Sequence, residues 1–138
     1  MTDLRVGRVR TIADWLGIAA STACATHCIL IPTLLVTGTV LPASVLGEEF
    51  FHQAMLWVIL PAAILAFGIG CRRHKDRWVL ALGMIGLIGM ALSAVVLHDI
   101  VGEAGERVVT LLSAAVLVVA HYRNFQICRS SGCAHESE

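Results

Sequence analysis

The sequence predicts an all-α integral membrane protein, a four-helix bundle with both termini cytoplasmic, and three observations carry that prediction. First, 57% of the 138 residues are apolar and only 14% are charged, whereas soluble domains average about a quarter charged. Second, the apolar residues fall into four continuous runs, each near the roughly 20 residues that cross a bilayer as a helix. Barrel strands are excluded because they are short and alternate in polarity. Third, the cations cluster. Arg5, Arg8 and Arg10 precede the first run, Arg72, Arg73, Lys75 and Arg77 separate the second from the third, and Arg123 and Arg129 close the fourth; the other two connections hold only Arg107. Under the positive-inside rule this sets both termini in the cytoplasm. The formal net charge of +0 conceals the asymmetry, and no basic tract points to a nucleic-acid partner. The partner implied is the lipid bilayer. The length allows one membrane domain, residues 1–127, and a short cytoplasmic tail, residues 128–138.

The elements follow in order. The first span is expected over residues 13–36; its apolar run is too long for the core of a signal peptide, so it should be retained. The second is expected over 52–71 and the third over 78–98. Pro32 and Pro61 would each remove a backbone hydrogen bond and bend their helix, which membrane helices tolerate when neighbours re-satisfy the freed carbonyl. In "LGMIGLIGMA", Gly83, Gly86 and Gly89 recur every three residues on one side of the third span, a face suited to close helix packing, within a monomer or in a homo-oligomer. Trp15 and Trp78 fall near span ends, where indole rings anchor to the interface, while Trp57 lies deeper. The fourth span is expected over 108–125, and the polar tail after Cys128 is expected to be flexible.

Within the first span, "CATHC" sets Cys24, His27 and Cys28 at i, i+3 and i+4. Those positions share a helical face, so two sulfurs and an imidazole are expected to form a chelate for a soft or borderline ion such as Hg(II), Zn(II) or Cu(I). In the tail, Cys128 and Cys133 form a second pair, and reduced cytosolic thiols suit metal binding or exchange better than a disulfide. His52 and His98 sit at the outer ends of their spans and are expected near the depth of His27, while His121 lies inside the fourth span toward the cytoplasm. Ionisable groups at membrane depth point to function, so all three are candidate ligands. No nucleotide-binding motif and no nucleophile–base set stand together, so an enzyme is not expected.

The runs "DWLGIAASTACATHCILIP" and "FHQAMLWVILPAAILAFGIGCRRH", the "VLHD" ending the third span and the "AHYRNFQIC" ending the fourth resemble the MerC-domain family of small, four-span mercury-resistance membrane proteins. The resemblance implies a bacterial inner-membrane protein that takes up Hg(II). The ion would pass from a first-span pair, here Cys24 and Cys28, to a cytoplasmic pair, here Cys128 and Cys133, and on to a cytosolic thiol acceptor or mercuric reductase. Transporters of the operon type have a two-residue gap in the first pair and no histidine there, whereas this chain has three intervening residues including His27. Two sulfurs with histidine also suit Zn(II), so zinc or copper binding, transport or sensing is the alternative. A haem-binding electron carrier, with histidines of the bundle as axial ligands, is a further one.

Overall fold

The computed structural model describes residues 2–36, 48–74 and 76–130. Nearly all of them lie in α1 (Thr2–Val36), α2 (Glu48–His74), α3 (Arg77–Leu92) and α4 (His98–Ser130), with α3 running into α4 through a π-helical turn at Ser93–Leu97. Four stretches, Arg5–Leu34, Phe50–Ile69, Arg77–Leu97 and Asp99–Ser130, are long and apolar enough to cross a membrane. The all-α, four-span prediction therefore holds, and the helices overrun their expected ends. Window hydropathy misses helix termini, because a polar residue there can point inward to a partner or outward to an interface. The expected fourth span, 108–125, is the middle of α4. Cys128, expected in a flexible tail, is helical and buried.

Local chemistry explains the boundaries. Asp76 caps α3, its carboxylate accepting from the backbone N–H groups of Trp78 at 2.8 Å and Val79 at 3.3 Å, two of the donors a helix start leaves unsatisfied. Both expected prolines lie inside helices that continue through them. The departures from regular α geometry are elsewhere, at the π turn and at Gly102, whose φ of 68° and ψ of 177° break α4 near its start. Only glycine adopts that backbone without penalty.

Each helix neighbours the next in sequence and α4 closes back on α1, so the bundle reads 1-2-3-4 around its axis. Small residues carry the packing: Ala13, Ala20, Ala62, Ala63, Ala66, Ala114 and Ala120 are all buried. In lipid no hydrophobic drive joins helices, and close backbone approach gains van der Waals contact instead. The glycine stripe of α3 is used inside the chain. Gly83 receives Phe67 of α2, and Gly86 and Gly89 receive Leu117 and Ser113 of α4.

The outer surface is apolar, and inside the bundle polar groups are set among apolar packing. Trp57, Ile64, Trp78 and Val95 face outward. Inside, three layers follow one another along the axis. At the end bearing the α1–α2 connection are His52, Ser93, Glu106 and Thr110; in the middle Ala20, Ile59, Ala114 and Leu117, with Cys24 and Met90; at the end bearing the chain termini Asp14, His121 and Asn124.

Candidate metal centre

Cys24 and Cys28 lie one turn apart on the face of α1 that meets α2, and both are buried. The third donor comes from α2, where His52, about one turn in from the start of the helix, faces inward at 1% exposure. Its Nε2 is 3.1 Å from Cys28 Sγ. One donor atom from each of Cys24, Cys28 and His52 lies within 4.8 Å of the others. A tetrahedral ion with bonds of about 2.0–2.3 Å holds its ligands roughly 3.3–3.8 Å apart, so the three donors lie close to the separations such an ion requires.

The imidazole is held from behind. His52 Nδ1 lies 3.2 Å from the Glu106 carboxylate oxygen. An ionised carboxylate only accepts, so Nδ1 is the donor on that side and Nε2 is the atom turned to the cysteines, free to bind a metal once its proton and theirs have left. This carboxylate–histidine arrangement orients metal-binding imidazoles and raises their basicity. Glu106 is held in turn: Ser93 Oγ donates to its backbone carbonyl at 3.2 Å and shares a hydrogen bond with Thr110. Ser93 opens the π turn, and such turns favour functional positions.

A third sulfur completes the environment. Met90 of α3 is 1% exposed, with its Sδ 3.9 Å from Cys24 Sγ. The donors thus come from three helices and the orienting carboxylate from the fourth.

His27 does not join them. Its ring stacks on Phe51 with centroids 3.9 Å apart and planes at 13°, and stands edge-on to His52 at 6.0 Å. The structure groups the two cysteines with His52 of α2, while the His27 ring of the expected i, i+3, i+4 set lies alongside, on Phe51. Helical spacing fixes the side of the helix but not which aromatic neighbour a ring will lie on. Both His27 ring nitrogens are buried without a hydrogen-bond partner.

Two other candidates, His121 and Cys128, lie apart from this cluster. His121 is in the opposite half of the bundle, bonded through Nδ1 to Asp14 at 3.1 Å; Asp14 is ten residues from Cys24, about 15 Å along a helix. Cys128 is buried two turns beyond His121 on α4. Cys133 and the His98 side chain lie outside the described residues. Three partners escaped the sequence reading. They are Glu106, Met90 and Asp14. For the two acids a signal existed, since each flanks or interrupts an apolar run; nothing local distinguishes Met90 from a core methionine.

The sequence model of a family described as MerC mercury resistance protein matches residues 14–126. The match takes in Cys24, Cys28, His52, Met90, Glu106 and His121 and stops just short of Cys128. No curated protein and no solved structure matches the chain.

Proposed function

The chain belongs to the MerC family of mercury-resistance membrane proteins, and from that premise we propose that it carries a soft metal ion, Hg(II) first, across the bacterial inner membrane by thiolate exchange. The observation that supports this reading most is the convergence of Cys24, Cys28 and His52 with the Met90 thioether beside them. Sulfur donors select soft ions and discriminate against Mg(II) and Ca(II).

Capture replaces two thiol protons by two S–Hg bonds, and both protons leave. Two thiolates neutralise the dication, so the loaded centre carries no net charge into the apolar interior. Release is a substitution. An incoming thiol binds the metal, its proton passes to the departing cysteine sulfur, and no electrons change hands. The incoming thiol would belong to Cys128 or Cys133, or to a cytosolic acceptor such as a mercuric reductase. With the termini cytoplasmic, the centre lies in the outer half and the cytosolic thiol pool sets an inward direction. Zn(II) or Cu(I) at the same centre is the second reading, favoured by the His52–Glu106 pair, an arrangement typical of zinc sites.

The test uses protein reconstituted in vesicles with a thiol indicator of Hg(II) trapped inside. The Cys24→Ser, Cys28→Ser double variant should lose the protein-dependent signal entirely. Uptake at the wild-type rate would sink the proposal. Parallel runs with Zn(II) and Cu(I) decide between the two readings.

A further inference from the structure

His27 stands beside the metal centre, and the exchange steps above do not use it. The residue is 7% exposed, and among the described residues neither ring nitrogen meets a hydrogen-bond partner. A buried polar atom without a partner costs free energy, and here two of them share one ring next to a pair of thiols. The ring is held by its face: Phe51 stacks on it with centroids 3.9 Å apart and planes at 13°. Stacking occupies the π surface, whereas a metal binds the lone pair in the plane of the ring. The contact that fixes His27 therefore does not compete with ligation.

The position fits a fourth ligand. Cys24, Cys28 and His52 offer three donors, and a tetrahedral ion takes four. His27 is three residues from Cys24 on α1, a spacing that sets the two Cβ atoms about 5–6 Å apart on one face. Its ring centroid is 6.0 Å from that of His52, with the planes at 80°. Two imidazoles bound to one tetrahedral ion at about 2.0–2.1 Å have their centroids roughly 5 Å apart, so a closing movement on the order of 1 Å brings the second ring into the set. Neutral imidazole carries a proton on one nitrogen and a lone pair on the other. Either tautomer of His27 presents that lone pair without breaking a hydrogen bond, and ligation gives one of the two orphaned nitrogens a partner. Met90, beside Cys24, offers a thioether, a soft donor suited to Cu(I) more than to Zn(II).

We infer that His27 is the ligand the centre gains when it takes a four-coordinate borderline ion of the Zn(II) class, and that it sets how tightly such an ion is held relative to Hg(II), which two thiolates in line satisfy. The inference rests on the metal centre described above. Two S–metal and two N–metal bonds form, and two protons, counted over Cys24, Cys28, His52 and His27 together, leave to solvent. Two thiolates and two neutral imidazoles around a dication carry no net charge, and no electrons change hands.

The variant His27→Phe tests it, keeping an aromatic face for Phe51 and deleting both nitrogens. In the full-length protein in micelles, Zn(II) affinity, read by competition with a chromophoric chelator, should fall at least about tenfold, the lower end of what even a partner outside the ligand set contributes. Hg(II) affinity, read by competition with a dithiol, should be unchanged. A smaller fall for Zn(II), or an equal fall for both ions, overturns the inference. A second measurement needs no variant: wild-type protein with 15N-labelled histidine is titrated with Zn(II). One His27 nitrogen should move together with His52 Nε2 in the first equivalent. His52 moving while both His27 nitrogens stay fixed overturns the role of His27 alone. A fixed His52 overturns the metal centre, and with it this inference.

Discussion

Met90 is the residue whose role depends most on its neighbours. A methionine in a glycine-rich apolar helix ordinarily fills space, but here the sulfur is 3.9 Å from Cys24 Sγ. Replacement by leucine conserves volume and should cost less than about 1.5 kcal/mol of stability. If the thioether contributes to selection, Met90→Leu narrows the preference for Hg(II) over Zn(II) roughly tenfold, about 1.4 kcal/mol in relative binding. A competition titration of the purified protein measures it, and an unchanged ratio assigns Met90 to packing alone. At this scale the sequence was informative for Cys24 and Cys28, whose spacing alone sets them on one face. It could not rank His27 against His52. That choice depends on Phe51 offering a stacking partner to one and Glu106 a hydrogen bond to the other, and both contacts require the helices to be assembled.

Among the elements, α3 and α4 show how small residues set distances. Gly86 lies under Leu117, and a Cβ there would come within 3.2 Å of the Leu117 backbone nitrogen. Backbone cannot rotate aside, so Gly86→Ala should separate α3 from α4 and cost about 1–3 kcal/mol as an overpacked contact. The expected result is a lower midpoint in thermal unfolding in detergent together with weaker metal binding, because Met90 and Ser93 ride on the displaced helix. A midpoint equal to wild type would mean that the stripe is not a tight interface. The four runs and the glycine periodicity were visible in the sequence because each is a local pattern. The π turn at Ser93–Leu97 and the break at Gly102 were not. The sequence there reads as ordinary apolar and polar helix, and the irregularity lies between α3 and the part of α4 that carries Glu106.

For the whole molecule, the positive-inside pattern predicts that both termini face the cytoplasm. Tags at the two ends should be cut by an impermeant protease in inverted vesicles and protected in right-side-out ones. The reverse pattern would turn the metal centre toward the cytoplasm and make export the direction to explain. The inward row of donors depends on α1 and α4 lying side by side along their length, which joins residues more than a hundred positions apart, such as Asp14 and His121. Helical periodicity indicates that each of them faces inward; it does not say that they meet.

The middle layer has an electrical consequence. Ile59, Ala114 and Leu117 are buried and packed together between the two polar ends, a layer that opposes a continuous file of water through the bundle. A membrane that stores energy as an ion gradient would be discharged by a wet conduit. Under the carrier reading proposed above, an apolar midplane would let a cation cross while the membrane stays insulating.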